Sequence, residues 1–149
     1  MAIFSNFGGK SMGFIKENKY RILALSALLI CVGCYSVFGF NADKVNTEFL
    51  QSYGWETTGH YTDKSDIIIP SPFDMVYKNY NLLQLDSGLD LEPYMGKSGT
   101  RYTYIVTNYP LNCEETVYAN VIVIENKCVA GDIMTVPIDG FIHPLSFRP

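Results

Sequence analysis

Residues 22–41 carry no charged side chain, and the run ILALSALLICVGCYSVFGF within them is 19 residues of almost unbroken apolar character. At 1.5 Å per residue such a run is long enough to cross the hydrocarbon of a bilayer. Its backbone groups would then have to bond within the segment, so a helix is expected. Beyond it the pattern shortens. Val45, Phe49 and Leu50 share a face of a short helix, capped by Asn41 or Asp43 and stopped at Gly54, and Trp55 is expected to pack under the domain. Residues 56–64 are polar, a loop or an edge strand, and 66–69 form a short apolar strand ended by Pro70. Ser71-Pro72-Phe73-Asp74 reads as a helix start with Ser71 as cap. Phe73, Val76, Tyr77, Tyr80 and Leu83 follow on one face, and Gly88 is the stop.

Residues 88–97 form a loop. Three strands follow it. Residues 100–108 place Tyr102, Tyr104 and Val106 on one side; 116–124 place Val117, Ala119, Val121 and Val123 on one side. Residues 128–136 return through a turn at Glu125-Asn126-Lys127, where Asn tolerates a left-handed backbone. The tail from Asp139 has no clear period. This order predicts an α+β fold, a small antiparallel sheet with helices on one face.

Charge divides the chain further. Residues 1–40 hold four Lys/Arg against one Asp/Glu, a net of +3, whereas residues 41–149 hold seven against fourteen, a net of −7. All four N-terminal cations precede the apolar run. The positive-inside bias therefore predicts a cytoplasmic tail at 1–21, a transmembrane anchor at 22–41 and an extracytoplasmic domain at 42–149. The rival is a cleaved signal peptide with Val37-Phe38-Gly39 as its site, but its apolar region would ordinarily be shorter. An acidic domain without a basic stripe is a poor nucleic-acid binder. The expected location is the cell membrane, with the membrane as one partner and a protein or peptide as the other.

Candidate chemistry changes little. Cys31 and Cys34 form a C-x-x-C in mid-run, where apolar surroundings disfavour a thiolate; zinc would need further ligands, and the residues before Cys34 do not make a lipidation box. Cys113 and Cys128 fall at opposite ends of the predicted hairpin, too far apart for a disulfide. Cys113 with His143 as base, and Arg101 or Arg148 beside them, would suit a cysteine transpeptidase, yet Glu114 and Glu115 beside the thiol weaken a nucleophile. The acids of 86–92 lack the alternation of a calcium loop. Asp132 follows Gly131, where a bulge or a close backbone approach is expected. Asp139 and His143 are a conceivable acid–base pair, so a small envelope hydrolase or transpeptidase using Asp132, Asp139 or His143 is the alternative reading. No cofactor, metal site or catalytic residue is assigned.

The phenols carry more weight. Tyr77, Tyr80, Tyr94, Tyr102, Tyr104, Tyr109 and Tyr118 need partners for their hydroxyls, and Asn79, Asn81, Gln84 and Asn120 are at hand. One reading is a core edged by Tyr–Asn hydrogen bonds. The other is a polar-aromatic groove between the 73–85 helix and the 88–97 loop. Its candidate ligand-binding residues are Tyr77, Tyr80, Asn81, Gln84, Asp90, Tyr94, Tyr102, Asp132 and His143. Binding or protein interaction is the leading function, and a structural spacer in a membrane complex is the third.

Several blocks occur in a telling order: Tyr53-Gly54-Trp55; Ile69-Pro70; Phe73-x-x-Val76-Tyr77-x-x-Tyr80-Asn81-x-x-Gln84; Gly88-Leu89-Asp90-Leu91-x-x-Tyr94-x-Gly96-Lys97; Arg101-Tyr102-Thr103-Tyr104; Val117-Tyr118-Ala119-Asn120-Val121; Gly131-Asp132-Ile133; Gly140-Phe141-x-His143. Over residues 45–145 the chain resembles domain-of-unknown-function family 4830, found in membrane-anchored proteins of Gram-positive bacteria. It departs from the pattern at Ala130, where Gly is expected, and at Pro144. The resemblance implies an envelope location and brings no assigned activity with it.

Overall fold

A computed structural model describes residues 40–109, 115–137 and 139–149. The predicted anchor falls outside them except for Phe40 and Asn41, as do Cys31, Cys34 and Cys113. Among the described residues no helix is long and apolar enough to cross a membrane.

Helix α1 (Ala42–Ser52) is capped by Asn41, whose side chain accepts the Lys44 N–H at 3.1 Å, and it closes at Gly54 with φ +81°. Strand β1 (Thr57–Ile68) includes the polar stretch apart from Glu56 and lies at the sheet edge, which accounts for its composition. Helix α2 (Met75–Leu85) begins later than the sequence predicts. Asp74, not Ser71, is the N-cap, accepting the Tyr77 N–H at 2.8 Å, and the Ser71–Pro72 peptide before it is cis. Strands β2 (Ser98–Val106), β3 (Tyr118–Ile124) and β4 (Lys127–Met134) follow the predicted order. Glu125 and Asn126 both take positive φ in the two-residue turn between β3 and β4. The tail that showed no period supplies a fifth strand, β5 (Ile142–Pro144).

The five strands form an antiparallel meander in chain order. Register assigns the faces. Tyr102 pairs with Val121 and Tyr104 with Ala119, so these share one face; Arg101 pairs with Ile122 and Thr103 with Asn120 on the other. The first face packs Tyr102, Tyr104, Val121 and Ile133 against Leu50 and Trp55, with α1 above. The second packs Ile122, Ile124 and Ala130 against Ile69, Phe73 and Leu91, with Tyr77 and Tyr80 of α2. The helices therefore lie on opposite faces, not on one. The reason is visible in β3: Ala119–Ile124 is buried residue after residue, so both of its faces need cover. A bulge between Ile122 and Val123 turns Cys128 toward α1 and leaves Val129 on the second face.

Gly131 is a close approach, as its neighbourhood predicts. A Cβ there would stand 2.7 Å from Leu145 Cδ1 and 2.8 Å from the Asn120 carbonyl oxygen. Trp55 is 2 % exposed, and its indole N–H donates to the Leu145 carbonyl at 2.7 Å.

Candidate functional site

Helix α2 covers only part of the second face. Thr103, Asn120 and Asp132 stand side by side on β2, β3 and β4, in register. Thr103 Oγ1 donates to Asn120 Oδ1 at 2.7 Å, and Asn120 Nδ2 donates to Asp132 Oδ1 at 2.8 Å. From above, the Tyr80 hydroxyl donates to Asp132 Oδ2 at 2.7 Å. The result is a hydrogen-bonded ladder across three strands and one helix. Asp132 is its terminal acceptor and is only 2 % exposed.

Electrostatics follow from burial. Desolvation pushes the Asp132 carboxyl above the usual carboxylate range, while the bonds from Tyr80 and Asn120 and the Arg101 charge pull it back. Burial, then the neighbouring Asp132, holds the Tyr80 phenol well above its ordinary value, so it remains a donor. Arg101 is exposed on this face and takes part in no ion pair among the described residues.

Two hollows meet over the ladder. One of about 430 Å³ is lined by Asp63, Arg101, Thr103, Tyr118 and Val136; one of about 240 Å³ by Val76, Tyr77, Arg101, Asp132 and Ile142. They share Arg101, Asn120 and Met134. A larger hollow of about 800 Å³ lies at the far end of the sheet, lined by Asp66, Ile68, Ser98, Glu125 and Asn126. None of the buried polar side chains among the described residues opens into it. The chemistry therefore favours the paired hollows over the larger one.

Of the residues the sequence singles out, Tyr77, Tyr80 and Asp132 come together here. Asn81 and Asp90 instead hold the loop: Asn81 Nδ2 donates to Asp90 Oδ1 at 3.0 Å, and Asn81 Oδ1 accepts the Leu91 N–H at 2.7 Å. Gln84 is fully buried, and its Oε1 accepts the Gly131 N–H at 2.8 Å, just where β5 has ended. Bonds thus occupy the junction between α2 and the 88–97 loop. Tyr94 packs on the second core with the Lys97 ammonium 5.7 Å from its ring centroid. Tyr102 is buried on the opposite face. The His143 ring stacks between Phe141 at 4.6 Å and Phe147 at 3.9 Å, and burial holds its pKa below the usual imidazole value. No bond joins it to Asp139 among the described residues, where no group of three potential metal ligands occurs either.

Sequence reasoning underrated Thr103, Asn120 and Arg101 as site residues. The signal was present: Asn120 interrupts an apolar strand, and Arg101 and Thr103 alternate with buried tyrosines. A second network was missed outright. Asp43 Oδ2 meets His60 Nδ1 at 2.9 Å, while Asp43 Oδ1 accepts the Tyr61 N–H at 3.1 Å and the Tyr104 hydroxyl at 3.2 Å. Asn46 Nδ2 donates to that hydroxyl, and the Cys128 thiol, pushed up to about 11 by burial, donates to Asn46 Oδ1. This network ties α1 to the sheet.

Burial would raise the Asp43 pKa, but the bonds from His60, Tyr61 and Tyr104 outweigh it and hold the carboxyl below its ordinary value of 3.8. Its stabilisation is therefore complete above that value and is lost as pH falls through the lower folded pKa. Asp43→Asn should cost stability at pH 7, and the penalty should shrink on acidification below pH 3.8. Urea unfolding of both proteins across that range checks it, and a penalty that does not change with pH would contradict it.

Residues 49–133, more than half of the chain, match the model of a family described as Domain of unknown function (DUF4830), and the chain belongs to that family. The match contains every residue of the Tyr80–Asp132–Asn120–Thr103 ladder and ends before β5. No curated protein and no solved structure matches the chain.

Proposed function

We propose that this member of the DUF4830 family is a binding module whose ligand seats on the uncovered part of the second sheet face. The carrying observation is the company that face keeps. Val76, Val136 and Ile142 are 71 %, 70 % and 50 % exposed, and they line hollows floored by the buried ladder and edged by Arg101. Exposed apolar side chains gathered around a few fixed polar groups are the usual composition of a ligand site. The charge step across the apolar run at 22–41 supports a location outside the membrane, with that run as anchor.

The test uses the full anchored chain in cells, with a photo-crosslinking side chain replacing Val136 or, as control, Leu85. Attachment from position 136 that is lost in Arg101→Glu and kept in Lys78→Glu is the expected outcome. Equal attachment from both positions, or no dependence on Arg101, would overturn the reading.

A further inference from the structure

The smaller hollow holds two opposite charges that do not pair. Arg101 and Asp132 both line it, yet the ion pairs within 4.0 Å among the described residues are His60–Asp43 and Lys97–Glu125. An apolar collar of Val76, Ile67, Ile142 and Met134 surrounds them. We infer, building on the binding reading above, that this hollow takes a free α-amino acid with an apolar side chain, its carboxylate on Arg101 and its ammonium toward Asp132.

Three features carry this. The first is capacity. Each Asp132 oxygen accepts one bond, from Tyr80 or Asn120, whereas a carboxylate offers about four lone-pair sites. Both resident donors are neutral, so the buried charge has no cation bonded to it and an ammonium would supply one. Arg101, for its part, presents an unpaired planar fork suited to a carboxylate.

The second is charge complementarity. One exposed cation and one buried, hydrogen-bonded anion give this hollow no net charge, and a zwitterion matches them. Asp63, in the adjoining hollow with Arg101, adds a negative charge on the outer side. A phosphate or an acidic peptide would meet both carboxylates. An interior peptide segment would bring neither terminal charge, leaving Arg101 and Asp132 unmatched.

The third is size. The volume of about 240 Å³ lies below the ~300–1,000 Å³ of sites for drug-sized molecules, which leaves room for a single small ligand. Its collar is mostly aliphatic, with the Tyr77 ring beside it, so an apolar side chain fits it better than a polar one.

Thermal melting and calorimetric titration of the full chain in nanodiscs test the inference. The probes are L-leucine, N-acetyl-leucine, which lacks the ammonium, leucinamide, which lacks the carboxylate, and L-glutamate. Leucine should raise the melting temperature, and each blocked analogue and glutamate should bind at least about tenfold more weakly. Arg101→Gln, an exposed change that spares the fold, should abolish the leucine response, and Asp132→Asn should weaken it at a near-native melting temperature. No response to leucine, or an equal response to N-acetyl-leucine, would overturn the inference. In that event, Arg101-dependent attachment at position 136 would leave the binding module standing. Loss of that attachment as well would remove both.

Discussion

Asp132→Ala should destabilise the domain by about 1–3 kcal/mol, because it takes the acceptor from two donors at once, one buried and one half-buried. Asn120 Nδ2 and the Tyr80 hydroxyl both point at the deleted carboxylate, and Asn120 is 5 % exposed. Water entering from the hollow replaces the lost carboxylate only in part, so both donors lose bond strength. Asp132→Asn should cost much less. The Thr103 hydroxyl can reverse its role, Asn120 can turn its amide, and the new amide can then accept from Tyr80 and donate to Asn120. Relief from burying a charge offsets part of the remaining loss, since desolvation already raises the Asp132 pKa. Urea unfolding of the two variants, with Tyr80→Phe alone and combined with Asp132→Ala, reads the coupling. Equal losses for the Ala and Asn variants, or strict additivity with Tyr80→Phe, would show that the ladder is not a connected unit.

Trp55→Ala should cost about 3–5 kcal/mol, the range for deleting a buried Trp. The indole sits in the first core at 2 % exposure and stacks on Tyr109 at 5.9 Å. Tyr109 stacks on Phe141 at 5.4 Å, and Phe141 in turn on the His143–Phe147 pair. The Arg148 guanidinium lies 5.3 Å from the indole centroid and donates to the Tyr53 carbonyl. Trp55 is thus the inner end of the column that holds β5 and the C-terminal residues. Trp55→Phe keeps most of the apolar contact but leaves the Leu145 carbonyl without its donor, so a smaller loss is expected. Because Trp55 is the only tryptophan, circular dichroism rather than fluorescence should follow unfolding. A loss under about 1 kcal/mol for the Ala variant would contradict a packed indole.

The legible part of the fold was what neighbours in sequence dictate. Gly54 and Gly88 end their helices, Asn126 takes the turn between β3 and β4, and alternation marks β2. These depend on backbone sterics and on side-chain period, both local. Helix α2 shows where local reading fails. Val76 fits the apolar stripe but is 71 % exposed, whereas Asn81 and Gln84 take the buried positions. Hydrogen bonds to Leu91, 10 positions on, and to Gly131, 47 positions on, offset part of that burial, and neither partner belongs to the helix.

The candidate site was legible only in pieces. Tyr80 and Asp132 could be named from sequence, but their contact spans 52 positions. Arg101, Thr103 and Asn120 join them only through strand register, and a slip of one residue would turn each side chain to the other face. The sequence by itself determined most of the element types (β5 is the exception), the charge step after the apolar run and the family membership, because each is a property of order and composition along the chain. The tertiary structure alone decided that the helices lie on opposite faces, that part of one face stays open, and that a buried carboxylate and an unpaired guanidinium line one hollow. Those outcomes depend on which strands pair and in what register, and long-range packing settles that.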